Sequence, residues 1–353
     1  MSPSNTLSFD TILDALMDLE TAFPPRYLYR FSDLSPDELN QLKELWPSIP
    51  AWRRQALLED MESLGERDNL LFFEGLCRLA LEDSEPACRL PAARILWEYE
   101  LPEHLPLFIK LAKSDEDARV RQIAASALGS YIYAGELEKI TQQKLAETEE
   151  CLISIYTQDV DPEVRRHALE SLGYSSREDV PGMIQAAYDS KEKEWKASAL
   201  FAMGHSADER WTSQVLESLT SKITLIRAEA ARAAGELEIN TAKAALIELL
   251  QDPEENIRMA SIWSLSQIGG DGVRQRLEKL YKSARDDEYR EFLEAALDNL
   301  AFTDNLPVMP LLDFEGELDE EDDEDDFEDE YGDDFEEDVD FIDDDLEDED
   351  FDD

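Results

Sequence analysis

Four Asp–Arg pairs share one spacing in this chain: Asp83 and Arg89, Asp115 and Arg121, Asp159 and Arg165, and Asp252 and Arg258 each stand six residues apart. At that offset a guanidinium fork can reach a carboxylate in the preceding turn and make charge-assisted hydrogen bonds. Arg53, Lys196, Arg227 and Arg290 fill the same slot elsewhere, whereas Ser190, Ser221 and Ala284 stand where an Asp would fall. The chemistry offered is mainly structural cross-linking, weaker or absent at the serines. Read functionally, the same arginines would form a stripe for phosphate or an acidic peptide.

Catalytic chemistry has few candidates. An enzyme needs polar groups that converge at fixed distances. The three histidines, His104, His167 and His205, belong to no HExxH or CxxC pattern and no His/Cys cluster, so zinc has little support. No GxxxxGK or GxGxxG run is present to cradle a phosphate. His205, in GHS just past a helical segment, is the least ordinary of these residues. The glycines at 129, 173, 204 and 235 are expected to terminate helices. No catalytic residue, metal or cofactor is therefore expected. Cys77, Cys88 and Cys151 have no paired spacing, which fits a reducing compartment or a disulfide-independent fold. Neither a signal peptide nor a membrane-length apolar run is visible, so a cytoplasmic protein without a membrane partner is expected.

A repeat must position the charged pairs. The segment DPEVRRHALESLG (161–173) returns as DARVRQIAASALG (117–129), EKEWKASALFAMG (192–204), ITLIRAEAARAAG (223–235) and EENIRMASIWSLS (254–266). Its anchors are Val120, Val164, Trp195, Ile226 and Ile257, and the last three steps are 31 residues each. Weaker copies are anchored at Trp52, Cys88 and Tyr289, giving about eight units between roughly Asp33 and Leu300. Apolar residues fall at offsets 0, 4, 5 and 8, as in Val164, Ala168, Leu169 and Leu172, which lie on one side of a helix. Ala or Ser at offset 4, from Ala92 to Ser261, allows close helix approach. A second helical segment precedes each copy, as TAKAALIELL (241–250) precedes the copy at Ile257. Such a hairpin cannot bury its apolar face alone, so the units are expected to stack as a solenoid.

Here the chain resembles the HEAT-repeat family, in particular its short bacterial form, the PBS-lyase-like repeats. The resemblance covers about three quarters of the chain. It implies an all-α fold, a right-handed α-solenoid of about eight helical hairpins, in which the inter-helix Asp and the second-helix Arg form a ladder between neighbouring units. Some members assist bilin attachment to a light-harvesting protein; no motif here identifies that activity, and nothing catalytic is carried over.

The step from Val120 to Val164 is 44 residues, with the surplus around 131–159. This is either an insertion that recruits a partner or a lengthened helix that thickens one unit. Before the array, LSFDTILDALMDLE (7–20) is helix-like and is expected to cap the solenoid end. Pro24 and Pro25 break helicity, and Ser35 with Glu38 marks a new helix start. The cluster of Tyr27, Tyr29 and Phe31 beside Arg26 and Arg30 is expected under the cap, with peptide binding as the alternative. Residues 1–34 thus read as cap and linker, 35–302 as solenoid and 303–353 as an acidic tail.

Of the 85 acidic residues, 29 lie between Asp313 and Asp353, where no Lys or Arg occurs. The preceding 312 residues carry the remaining 56 against 33 bases. A chain of net charge −52 repels phosphate backbones, so no direct nucleic-acid partner is expected. Like charges at this density predict a disordered tail. Phe327, Tyr331, Phe335 and Phe341 interrupt it and are the candidate binding residues. Rings can grip a partner's pocket while carboxylates speed the encounter, so a basic protein partner is the favoured reading. Intramolecular masking of the solenoid, weak cation binding and simple solubility are the alternatives. The whole reads as a non-enzymatic scaffold or adaptor, or else as an accessory factor in a client's modification or assembly.

Overall fold

A computed structural model describes residues 8–305; the tail, with Phe327, Tyr331, Phe335 and Phe341, lies outside the described residues. Among the described residues there are seventeen α-helices and no strand. They are α1 (Phe9–Met17), α2 (Pro36–Leu45), α3 (Ala51–Gly65), α4 (Glu74–Ala80), α5 (Pro86–Glu98) and α6 (Leu105–Ser114). Next come α7 (Ala118–Glu136), α8 (Gln142–Gln158), α9 (Pro162–Leu172), α10 (Val180–Tyr188), α11 (Lys193–His205) and α12 (Thr212–Ser218). The last five are α13 (Thr224–Glu236), α14 (Lys243–Leu249), α15 (Glu255–Ile268), α16 (Val273–Ser283) and α17 (Asp287–Asn305). Short 3-10 turns at Pro25–Phe31, Trp46–Ser48, Glu209–Trp211 and Asn240–Ala242 complete the order.

From α4 onward each even-numbered helix packs against the odd-numbered helix that follows it, and the odd-numbered helices α3 to α17 pack side by side in chain order. This makes seven hairpins from α4 to α17, preceded by α2 and α3, in an all-α HEAT-like solenoid. The repeated apolar set explains the stacking. Cys88, Val120, Val164 and Ile257 are completely buried, as are the offset-4 residues Ala92, Ala124, Ala168, Ala199, Ala230 and Ser261. A side chain larger than Ala or Ser at offset 4 would hold neighbouring helices apart.

The Trp52 anchor is corrected. Trp52 is 55% exposed, and the buried set in α3 is Arg53, Leu57, Leu58 and Met61, one residue later. Arg53 therefore takes the anchor position and Arg54 the ladder slot. Arg53 Nη2 donates to the carbonyls of Ala15, Asp18 and Thr21 (3.3, 2.5 and 2.9 Å), around the end of α1. These include carbonyls that a helix end leaves without an intrahelical partner. Phe9, Ile12 and Leu16 bury the inner face of α1, with Tyr27 and Phe31 beneath, while Leu19 and Tyr29 are exposed. Ser35 and Glu38 form a reciprocal capping box at α2.

The extra residues near 131–159 lengthen α7 to 19 residues and α8 to 17. Leu145, Leu152 and Ile155 are buried. The surplus thus thickens one hairpin pair.

The glycine expectation holds in part. Gly173 closes α9 as its C-cap, and Gly204 and Gly235 are the penultimate residues of α11 and α13, whereas Gly129 lies inside α7. Left-handed residues stand at offset 12 at Glu100, Ala207 and Glu238, with φ of 47°, 49° and 48°. The glycines stand at offset 9, where a helix meets the next odd-numbered helix. A Cβ on Gly173 would lie 2.6 Å from Ala202 Cα, and one on Gly235 would lie 2.7 Å from Ser264 Cα.

Candidate functional site

The ladder is real but displaced by one unit from the six-residue pairing. Arg89 sends Nε and Nη2 to the carboxylate of Asp115 in the following hairpin (2.8 and 2.7 Å), and Nη1 to the backbone carbonyl of Asp83 (2.8 Å). Arg121 does likewise to Asp159 (2.8 and 3.0 Å) and to the Asp115 carbonyl (3.0 Å). Arg54 pairs with Asp83 at 2.7 Å, and Arg227 with Asp252 at 2.9 Å. In three of the four pairs the six-residue offset is thus bridged through the Asp carbonyl, while the carboxylate serves the Arg one unit earlier. Each carboxylate also accepts from a backbone N–H two residues on: Glu85, Asp117, Asp161 and Glu254.

The rungs stop where Asp is missing. The Ser190 and Ser221 hydroxyls make only the local bond, accepting from the N–H groups of Glu192 and Ile223 (3.2 Å each), while the Ser221 carbonyl still accepts from Arg227 at 2.8 Å. Arg165, facing Ser190, donates to the Tyr156 carbonyl at 2.7 Å and lies 5.4 Å from the Trp195 ring. Lys196 sits 4.1 Å over the Tyr188 ring. Arg258 and Arg290 hold the carbonyls of Asp252 and Ala284. Burial opposes charge on Asp159 and Asp252, yet bonds from Arg121 and Arg227 and from local N–H groups hold both carboxyls below their ordinary range. Ser190→Asp is expected to add a rung to Arg165 and raise stability by about 1 kcal/mol. Thermal denaturation against wild type checks this, and an unchanged or lowered midpoint counts against it. Arg54, Arg89, Arg121 and Arg227 are thus each engaged by the Asp of the next unit.

The opposite side of the odd-numbered helices carries a different surface. At 100° per residue, offsets 3, 6 and 10 fall roughly opposite the buried offsets 0, 4, 5 and 8. Three rows result, each stepping by 31 residues: His167, Ser198 and Glu229; Glu170, Phe201, Arg232 and Trp263; and Tyr174, His205, Glu236 and Gln267. Sequence reading singled out only His205 and missed the rows; the 31-residue step was the signal that could have found them.

Contacts tie the rows together. Ser198 Oγ donates to Glu170 at 2.5 Å, and His167 Nδ1 lies 3.1 Å from Ser126 Oγ and 3.2 Å from Glu170. The Tyr174 and His205 rings stack at 4.6 Å, and Phe201 meets His205 at 4.5 Å. Burial lowers the His205 pKa, so the ring favours its neutral form. Burial also lifts the Glu229 carboxyl above its ordinary value, against Arg232 and with the like charge of Glu170. Glu229 Oε2 and Gln267 Oε1 are buried acceptors without a hydrogen-bond partner. Trp263 is 39% exposed at the edge. The surface offers rings and acceptors, a combination suited to cations carrying apolar stems.

The remaining candidates are ordinary. His104 is completely buried, with Nε2 3.0 Å from Glu74. All three cysteines are buried; burial pushes Cys88 and Cys151 up to about 11, and Cys77 higher, so their thiols stay protonated. Among the described residues no cluster of His, Cys, Asp or Glu could hold a metal ion, and no helix is long and apolar enough to cross a membrane.

A family model agrees with this architecture. The sequence model of the HEAT-repeat family matches residues 73–148 and 212–298. No curated protein matches. Among solved structures, Escherichia coli YibA is 20% identical, over 68% of this chain and 96% of that one, with a TM-score of 0.39. The complex of CpcE and CpcF of phycocyanin lyase from Nostoc sp. PCC7120 is 17% identical, over 64% and 94%, with a TM-score of 0.45. Human deoxyhypusine hydroxylase is 17% identical, over 83% and 96%, with a TM-score of 0.34. Nothing about activity transfers at such identities. By its helix order and packing, and by the repeat model it matches, the chain is a HEAT-like α-solenoid.

Proposed function

We propose that the protein is a non-enzymatic cytoplasmic scaffold or adaptor that holds a basic segment of a protein partner along the ringed face of α9, α11, α13 and α15. The acidic, ring-bearing C-terminal segment would act as an auxiliary attachment. Stacked helical repeats present extended surfaces of this kind for protein–protein contact. The observation that carries the reading is Glu229: a desolvated carboxylate whose Oε1 pairs with Arg232 while its Oε2 stays unbonded, and which feels the like charge of Glu170, is improved by an arriving cation. The excess of acids over bases along the chain would draw such a partner in.

Three immobilised proteins test this: the full chain, a chain ending at Leu312, and Glu229→Gln with Glu236→Gln. Captured proteins are identified by mass and titrated against salt. The expected result is a stoichiometric basic partner whose binding falls with salt and drops about tenfold in the double variant, as for charged contacts at an interface. Truncation is expected to weaken capture further. Partners that are acidic, or unaffected by the double variant, reject the reading; a partner returned with altered mass points to a modification factor. Glu229→Gln alone is expected to raise stability, because the buried charge disappears, while lowering partner binding. Denaturation and capture on the same samples check that opposition.

A further inference from the structure

A cavity of about 470 Å³ lies between the end of α3, the loop after it and the second half of α5. Ligand pockets begin at roughly 300 Å³, so a long side chain fits. Met61, Leu71 and Ile95 supply apolar wall, and Trp97 and Tyr99 the aromatic part.

Four polar groups of the wall, those of Glu62, Arg94, Trp97 and Tyr99, are already committed. Arg94 holds Glu62 through Nε and Nη2, the latter at 2.6 Å from Glu62 Oε2. Trp97 Nε1 donates to Ser130 Oγ at 3.1 Å, and Tyr99 Oη accepts from the Phe73 N–H at 2.8 Å. Two lining carboxylates, Glu66 and Glu98, are exposed and make no ion pair among the described residues. An apolar and aromatic cleft with two uncommitted carboxylates matches a side chain with an apolar stem and a flat cationic head. A guanidinium also stacks on an indole and can fork between two acceptors, which an ammonium cannot do as well.

The cavity also belongs to the ringed face by register. Arg94 and Glu98 stand at offsets 6 and 10 from Cys88, the positions held by Glu170 in α9 and by Tyr174 just after it. We propose that this cavity is an anchor site for one arginine side chain of the basic partner. The proposal rests on the scaffold reading above and adds the residue type and the place where it docks.

The test uses the full chain and two small probes, N-acetyl-arginine amide and its neutral isostere N-acetyl-citrulline amide. Indole N–H signals are followed by NMR, with the Trp97 signal assigned through Trp97→Phe. The expected result is a saturable shift of the Trp97 signal with the arginine probe and none with citrulline. A Cβ on Gly65 has only Phe73 Cε2 near it, at 4.0 Å, so Gly65→Leu fills the cavity without disturbing the helix and should abolish the shift. Glu66→Gln with Glu98→Gln, which cannot obstruct folding, should weaken it about threefold. Equal response to both probes, or an unsaturable drift of every indole signal, overturns the proposal, as does binding that survives Gly65→Leu. If the arginine probe binds at Trp97 but no basic protein is captured, the scaffold reading fails and the site stands. If a basic partner is captured equally by Gly65→Leu, the site fails and the scaffold stands.

Discussion

Asp83→Ala is expected to lower the free energy of unfolding by about 3–5 kcal/mol, the usual cost of removing one partner of a buried ion pair. The Asp83 side chain is 2% exposed and that of Arg54 is 9%. Asp83 accepts from Trp46 Nε1 at 2.7 Å, Arg54 Nη2 at 2.9 Å and the Glu85 N–H at 2.9 Å. Alanine strands all three donors and leaves a guanidinium charge in a site from which water is excluded. Asp83→Asn keeps the shape and an acceptor, so its loss should be intermediate. The control is Asp287→Ala, whose partner pair is on the surface (95% and 40% exposed) and should cost well under about 1 kcal/mol. Chemical denaturation of the three variants decides. A loss for Asp83→Ala no larger than that of the control would mean that the ladder is ornament. Two further rungs, those of Asp159 and Asp252, carry a pH signature. The folded-state pKa values of Asp159 and Asp252 are depressed, so their contribution is present at neutral pH and is lost as acidification passes below the ordinary carboxylate range.

The ladder also marks where sequence reading stops. Its residues were legible because Asp and Arg recur at one spacing. Their partners were not, because Arg89 and Asp115 meet across 26 residues and Arg121 and Asp159 across 38, distances set by stacking and by the lengthened α7 and α8. The Trp52 error has a similar origin. WRRQALL fits the repeat with either Trp52 or Arg53 as anchor, and apolar character favours Trp. Helix α3, however, has α1 on its outer side, and the carbonyls there want a donor. The ringed face was hidden for the opposite reason. Offsets 3, 6 and 10 lie off the repeated apolar set, and Glu170, Phe201, Arg232 and Trp263 share a row without sharing chemistry.

Gly173→Ala is expected to destabilise by about 1–3 kcal/mol, as overpacking does, even though alanine favours helix by about 1 kcal/mol. The new Cβ would meet Ala202 Cα at 2.6 Å and Ala202 O at 2.7 Å. Both are backbone atoms, so α9 and α11 must part. Gly173 has φ −55°, an ordinary helical value, so it is not the conformation that demands glycine but the approach. Gly182→Ala supplies the contrast: nothing lies within 4 Å of its Cβ, and the same substitution should be neutral or stabilising by up to about 1 kcal/mol. Gly204→Ala, meeting Ala233 Cα at 3.1 Å, should fall between them. Because Tyr174 follows Gly173 directly and stacks on His205, parting these helices should also open the ringed face. Gly173→Ala is therefore expected to reduce capture of a basic partner as well as stability, whereas Gly182→Ala leaves capture unchanged. Equal midpoints for the two variants would show that the helices do not depend on this close contact, and stable Gly173→Ala with undiminished capture would separate the face from the stacking that is held to build it.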